Sequence, residues 1–307
     1  MQNSSELHQS MKTVLVTGAT GFFGSHLVNR LLQSGHQVII LKRSFSNTQR
    51  INEILSNLIV YNIDKCHLAQ PFRDFSKIDA VIHTATIYGR KQESATEVFE
   101  ANTAFPLSLL QAATDFQVRT FLNTDTSVDK NLSFHSLSKK HFMEWGLHFA
   151  MSGKIRFVNI ELEHIFGPGD DDGKFPIFLI NKCLSNTTKL DLTTGEQQRD
   201  FIYIDDVVSA YVLLLEKAPQ QVSFYQEYEL GSGKTVSIRE FVETIKNLTN
   251  SEIELKFGAL PYREHEAMYS QANLEALQAL GWMPKWQLED GLQQTIAWYL
   301  QNYDRGN

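Results

Sequence analysis

A chain of 307 residues, 42% hydrophobic and 21% charged, carries enough apolar material for one large core or two smaller ones. Acidic residues outnumber basic ones by 35 to 28, a net charge of −7 with no basic cluster, which excludes an extended nucleic-acid surface. There is no run of roughly eighteen apolar residues and positions 1–10 are polar, so neither a membrane span nor a signal peptide is expected, and the expected compartment is the cytoplasm. Cys66 and Cys183 stand alone without metal-type spacing, so no metal site is expected and both read as reduced thiols.

In chain order, 1–10 reads as a disordered lead and 14–16 as a short strand. The turn Gly18-Ala19-Thr20-Gly21-Phe22-Phe23-Gly24 follows. Leu27, Val28, Leu31 and Leu32 then recur at helical spacing up to Gly35, and 37–41 is a second strand. Strand, glycine turn, helix and strand open a doubly wound α/β fold with a parallel sheet. Gly18 permits the tight bend, Gly21 lets backbone N–H groups approach a pyrophosphate, and Gly24 lets helix and strand pack closely. The pyrophosphate would sit on the positive end of the helix.

The tip of the second strand reads the adenosine ribose in such folds. It holds Lys42 and Arg43, with no Asp or Glu between Gly35 and Arg50. A basic tip pairs with the 2′-phosphate of NADP, so NADPH is favoured, with NAD the alternative if the two are ordinary solvated charges. A third strand is expected at 58–63, with Asp64 at its end on the adenine side. A fourth, 80–86, runs through His83 into the small residues Thr84 and Ala85, which let a cofactor lie across the sheet edge. Helical spacing covers 97–116, where Pro106 predicts a kink. A fifth strand, 119–126, ends in the hydroxyls and carboxylate of Thr124, Asp125 and Thr126, at the edge where open α/β sheets bind ligands. Next come a helix at 136–151 and a sixth strand at 155–160.

From 166 the chain is dense in turn formers. A helix at 176–184, a segment at 190–195 and a short strand at 201–204 lead to a helix that Asp205 would cap. From Tyr225 onward a strand, a helix capped by Ser237, a strand at 253–257 and two more helices are expected. The division is therefore a nucleotide-binding domain at 11–165, a substrate-domain insertion at 166–200, a return to the first domain at 201–224, and a mainly C-terminal, smaller α/β substrate domain at 225–307.

Hydride transfer to a carbonyl needs a proton donor, a second donor that holds the oxygen, and a cation that tunes the acid. Thr124 can hold the oxygen. Lys139 lies one helical turn past His135, so the two share a face.

These motifs, with Arg199-Asp200-Phe201-Ile202-Tyr203-Ile204-Asp205-Asp206-Val207 and Phe166-Gly167-Pro168-Gly169, resemble the extended short-chain dehydrogenase/reductases that act on nucleotide sugars. The likeness runs over essentially the whole chain. It is greatest to the CDP-abequose and CDP-paratose synthase branch, through Phe121-Leu122-Asn123-Thr124-Asp125, Lys139-Lys140-His141-Phe142 and Gly281-Trp282-Met283-Pro284. That branch reduces the 4-keto group of a CDP-4-keto-dideoxyhexose with NADPH, in making bacterial O-antigen sugars. The resemblance implies a Rossmann domain and a homodimer in which the helices at 97–116 and 136–151 pair as a four-helix bundle. Phe105, Trp145 and Phe149 then belong to core or interface. It also implies cofactor contacts from Gly18, Thr20, Gly21, Phe22, Phe23, Gly24, Lys42, Arg43, Asp64, His83, Thr84, Ala85 and Lys139. Arg199 and Arg263 would clamp the substrate diphosphate, unless Arg199 forms an ion pair with Asp200 or Asp205. Phe175 and Thr193 would line the nucleotide pocket, and Tyr88 and Thr126 the substrate site.

Two departures stand out. The family reads YxxxK, with tyrosine as acid/base, but here His135 precedes Lys139, and no tyrosine lies between Tyr88 and Tyr203. Imidazolium, with a pKa of about 6.5, is a stronger acid than a phenol at about 10, but a neighbouring Lys⁺ lowers it further, leaving it mostly neutral at neutral pH. Three readings follow: His135 donates the proton, the chain binds its ligands with weakened or absent turnover, or Tyr88 or an ordered water donates instead. In the blandest case His135 points to solvent. An epimerase or dehydratase with tightly bound NAD is a further enzymatic reading. The second departure is Glu161 and His164 where the family often reads Arg-x-x-Asn, which removes the ion pair that arginine would make.

Overall fold

The computed structural model describes residues 11–185 and 187–303, and the expected disordered lead at 1–10 lies outside the described residues. The chain opens on β1 (Thr13–Thr17), α1 (Phe22–Gln33) and β2 (Gln37–Lys42). Gly18 adopts φ +74°, a left-handed conformation that L side chains avoid. A side chain on Gly24 would run into the Gly18 carbonyl, so α1 can start this close to β1 only with glycine at both places. A 3₁₀ segment, Gln49–Asn57, leads to β3 (Ile59–Asn62), α2 (Gln70–Asp74) and β4 (Ala80–His83).

The helix expected at 97–116 is divided. α3 (Ala95–Phe99) passes through a π-helical turn, Glu100–Ala104, into α4 (Phe105–Asp115). Pro106 is the cause. It lacks an N–H and its ring would strike the carbonyl four residues earlier, so the preceding turn widens and the Phe105 N–H donates to the Glu100 carbonyl. The expected kink is thus taken up as a π-turn.

β5 (Thr120–Thr126), α5 (Phe134–Met151), β6 (Arg156–Leu162) and β7 (His164–Phe166) follow, then α6 (Phe175–Leu184), β8 (Lys189–Leu192), β9 (Gln198–Tyr203) and α7 (Ile204–Lys217). The chain closes with β10 (Tyr225–Leu230), β11 (Thr235–Ser237), α8 (Ile238–Leu248), β12 (Glu254–Phe257), α9 (Glu275–Ala279) and α10 (Leu288–Tyr303).

Seven strands form one parallel sheet in the order β10-β6-β5-β4-β1-β2-β3. The order reverses between β1 and β4, so the crevice for ligands opens above that pair. One face packs Val14, Val16, Leu27, Ile40 and Leu214 with α1 and α7. The other packs Leu15, Ile39, Phe121, Phe142 and Phe157 with α4 and α5. Smaller sheets, β11-β9-β7 and β12-β8, build the second region with α6 and α8.

Two expectations are corrected. The strand after Tyr225 pairs in parallel with β6 and completes the large sheet, although the reading by sequence assigns it to the C-terminal part. Gln226, Tyr228 and Leu230 are buried while Glu227 and Glu229 are exposed, the alternation of an edge strand covered on one face. Nor does Asp205 cap α7: the helix already begins at Ile204, the cap position falls on Tyr203, and Asp205 lies in the first turn. Ser237 does cap α8, in a reciprocal box with Glu240.

Both cysteines are free, Cys183 buried and Cys66 half-buried. Among the described residues no helix is long and apolar enough to cross a membrane.

The contact of α5 with β6 leaves no spare volume, because a methyl group on Gly146 would overlap the Phe157 ring. Gly146→Ala is therefore expected to lower unfolding stability by about 1–3 kcal/mol in urea denaturation. An unchanged midpoint would show that α5 sits farther from the sheet.

Candidate active site

The N-terminus of α1 faces the crevice. Its cap residue, Gly21, makes no side-chain cap, and its N–H donates to the Gly18 carbonyl at 2.9 Å. The N–H groups of Phe22, Phe23 and Gly24 have no partner among the described residues, leaving a concave row of donors beside the half-buried Thr20. That cradle fits a dinucleotide pyrophosphate: the N–H groups point outward and no Cβ stands over them. The rings of Phe22 and Phe23 are buried instead, Phe22 beneath the Lys174 ammonium at 5.0 Å and Phe23 edge-on to Tyr211 at 4.7 Å. These two residues can therefore offer a ligand only their backbone.

At the end of β2, Arg43 is exposed with its guanidinium 5.0 Å above Phe45, and Lys42 Nζ donates to the Arg43 carbonyl at 3.2 Å. Asp64 lies beside them and accepts from the Ser44 N–H at 2.6 Å and the Ser44 hydroxyl at 2.5 Å. Those two bonds hold its carboxyl below the usual range. Asp64 thus shapes the turn that carries the two cations.

His83 closes β4. It is fully buried among the rings of Phe105, Phe121 and Phe142, with Nδ1 paired to the Thr17 hydroxyl at 2.7 Å. It braces β4 against β1. The exposed edge is made by Thr84, which donates to the Thr17 carbonyl at 2.7 Å, and by the half-buried Ala85.

Thr124 lies near the C-terminal end of β5, half-buried, its hydroxyl 2.7 Å from that of Tyr211. Lys139 is buried on α5, and no hydrogen bond or ion pair holds its Nζ among the described residues. Burial pushes Lys139 down to about 8, and Asp125 opposes the shift. His135 does not point to solvent. It is half-buried, stacked on Tyr88 with ring centroids 4.7 Å apart and planes at 29°, while Arg90 covers the Tyr88 ring at 4.9 Å. Burial, then Lys139 and Arg90, push the imidazole down to about 4. His135 is therefore neutral at neutral pH, and burial contributes more than the lysine charge to which the sequence argument attributes it.

Two groups that the sequence did not single out organise this edge. Asn102, in the π-turn, is buried. Its amide oxygen accepts from the Ile87 N–H at 2.8 Å, and its nitrogen donates to the Ile87 carbonyl at 2.8 Å and the Ser138 hydroxyl at 3.1 Å. The loop carrying Tyr88 is thereby fixed to the helix carrying His135 and Lys139. Asp125 is also buried, accepting from Lys140 Nζ at 3.2 Å and from Asn159 at 3.0 Å. Lys140 also pairs with Glu161, so this position carries an ion pair of its own.

On the substrate side, Arg199 is buried with its guanidinium on Glu266 at 2.8 Å and on the carbonyls of Gln198 and Ala267. Neither Asp200 nor Asp205 is its partner. The Asp200 carboxylate instead accepts from the N–H groups of Ser232 and Gly233. Arg263 is exposed on the same loop as Glu266, so the two expected arginines belong to one region. Phe175 opens α6, half exposed and near Phe241. Thr193 is half-buried and accepts from Gln197, and Thr126 accepts from the Val128 N–H at 3.3 Å.

The sequence model described as the NAD dependent epimerase/dehydratase family matches residues 14–231, and the one described as GDP-mannose 4,6 dehydratase matches 171–295. CDP-abequose synthase of Salmonella typhimurium is 35% identical over 292 residues, covering 92% of this chain and 97% of that protein. Among solved structures, UDP-glucose 4-epimerase of Thermotoga maritima with UDP-glucose has a TM-score of 0.83 at 21% identity, covering 95% of this chain and 99% of that one. UDP-glucuronic acid 4-epimerase of Bacillus cereus, in complex with UDP-glucuronic acid and NAD, has a TM-score of 0.83 at 24% identity, covering 95% and 100%. These two likenesses concern the fold.

The unpaired Lys139 has a measurable consequence. A cation whose pKa falls from 10.5 in the unfolded chain to about 8 in the folded one destabilises the fold fully below pH 8 and fades as pH rises toward 10.5. Lys139→Met is expected to raise stability at pH 7 by about 1–3 kcal/mol, with the gain shrinking above pH 8 in thermal melts. A variant less stable than wild type at pH 7 would overturn the isolated-cation reading.

Proposed function

The chain belongs to the NAD dependent epimerase/dehydratase family, enzymes of the extended short-chain dehydrogenase/reductase kind, and on that basis we propose that it reduces the 4-keto group of a nucleotide-linked deoxyhexose with NADPH. The observation that carries this reading is the 35% identity to CDP-abequose synthase over nearly the whole of both chains, so a CDP-sugar is the favoured substrate and bacterial deoxysugar assembly the favoured setting. The reductase acts as a cytoplasmic homodimer, a reading supported by Phe99, Trp145 and Met151, which remain exposed on the outer helices.

The α1 N-terminus and Gly18–Gly24 turn hold the pyrophosphate, and Lys42 and Arg43 meet the 2′-phosphate. NADPH, when bound, supplies the hydride for the carbonyl carbon. The protein's part is to receive the charge that develops on the oxygen. The Thr124 hydroxyl donates to that oxygen, Lys139 keeps a positive charge beneath the site below pH 8, and His135 is the proton donor. A histidine held near 4 is mostly neutral in the working range, so the donating fraction falls about tenfold per pH unit.

NADPH absorbance decay with CDP-4-keto-6-deoxy and CDP-4-keto-3,6-dideoxy hexoses tests this from pH 5.5 to 8.5. The rate is expected to fall steadily as pH rises, and His135→Tyr to shift the optimum to higher pH. A flat wild-type profile would assign the proton to Tyr88 or water. Silence in wild type with activity in His135→Tyr would mark a binding protein that has lost turnover. Silence in both, with NADPH still bound, would overturn the substrate. A second reading, a 4-epimerase or dehydratase with retained NAD, has the Bacillus cereus epimerase complex in its favour and requires NAD to copurify.

Cofactor preference has its own test. Arg43→Ala is expected to raise KM for NADPH about tenfold, the effect of one lost phosphate ion pair, and to leave KM for NADH unchanged. An equal rise for both cofactors would remove the 2′-phosphate from the account.

A further inference from the structure

The proposed reading asks Thr124 to donate its proton to a substrate oxygen, but a hydroxyl rotates freely, and nothing in β5 says where that proton points. Tyr211 answers this. It lies on α7, fully buried, and its ring meets Phe23 edge-on at 66°. Its hydroxyl has a single hydrogen-bond partner among the described residues, the Thr124 hydroxyl at 2.7 Å.

The direction of that bond follows from where each proton could otherwise go. If Thr124 donated to Tyr211, the phenolic proton would be buried with no acceptor, the arrangement that folded proteins avoid. If Tyr211 donates, its own proton is satisfied. The Thr124 proton is then free to turn to the open side, since Thr124 is half-buried while Tyr211 is sealed. We infer that Tyr211 is a positioning residue: it donates to Thr124 and so fixes the Thr124 hydroxyl as an outward donor to the sugar's C4 oxygen. Burial raises the phenol far above its usual range, so the O–H persists through every working pH. Phe23 ties this to the cofactor cradle. The helix whose first N–H groups face the pyrophosphate also packs the tyrosine that aims the threonine.

The inference rests on the reductase reading for the identity of the oxygen, and its test is arranged to separate the two. Wild type, Tyr211→Phe, Thr124→Val and the double variant form a cycle. Tyr211→Phe keeps the ring against Phe23 and removes only the hydroxyl. It is expected to lower kcat about tenfold with KM for NADPH unchanged, the loss of one directed hydrogen bond. In the Thr124→Val background it should add nothing, because the group it acts through is gone. An undiminished loss in that background would make Tyr211 merely structural and overturn the inference.

The same four proteins, loaded with NADP⁺, are compared by calorimetry for affinity to a CDP-6-deoxyhexose bearing a 4-hydroxyl, a readout that needs no turnover. If wild type reduces no 4-keto sugar but the affinities show the same non-additivity, the reductase reading fails and the role of Tyr211 stands. If turnover is robust and neither readout is coupled, the reductase reading stands and the inference falls. A CDP-sugar that no member of the cycle binds counts against both.

Discussion

Everything in this protein depends on one close approach. β1, the start of α1 and the end of β4 meet at Gly18, where a side chain would overlap Thr84 and the Ala85 backbone, and at Gly24, where it would overlap Gly18 itself. That contact sets α1 at the angle that leaves its first N–H groups facing the crevice. It also lies where the strand order reverses between β1 and β4, so the anion cradle and the widest opening of the sheet edge coincide. Thr17 reinforces the junction, its carbonyl and hydroxyl engaging Thr84 and His83 on the neighbouring strand.

Around that junction the charged groups are arranged in opposition. Among the described residues Lys139 is buried without a direct partner, and the nearest relief is Asp125, which is itself committed to Lys140 and Asn159. The carboxylate therefore acts on Lys139 through space and only partly offsets burial. His135 feels the same burial and the same cation, so the two groups of the HxxxK pair both hold protons less tightly than in water. A tyrosine in place of His135 would lose an acidic proton beside that cation, whereas a histidine must gain one. The substitution thus reverses the sign of the coupling between the two side chains.

Backbone irregularity serves the same edge. Pro106 forces the π-turn, and the widened turn holds Asn102, whose amide joins Ile87 to Ser138. Through Ile87 it sets the loop on which Tyr88 stacks against His135. A proline remote from the crevice in sequence thereby helps to fix the ring that covers the candidate acid.

Much of this was legible in the sequence because it is local. The glycine turn, the helical spacing of Leu27 to Leu32, the Ser237 cap and the hydroxyl-bearing end of β5 each follow from neighbours a few residues apart, and the structure keeps them all. The family resemblance was carried by the same local motifs. Burial and long-range pairing were not legible there. His83 reads as part of a cofactor motif, yet three aromatic rings from other elements enclose it. Arg199 pairs with Glu266, 67 residues away, rather than with the aspartates beside it. Tyr211 meets Thr124 across 87 residues, with nothing in either neighbourhood to announce it. The sequence by itself determined the order of strands and helices and the chemistry available at the sheet edge. The tertiary structure alone decided which of those groups are sealed, which are charged and where their protons point, because desolvation and hydrogen-bond direction belong to the packed assembly and not to any one segment.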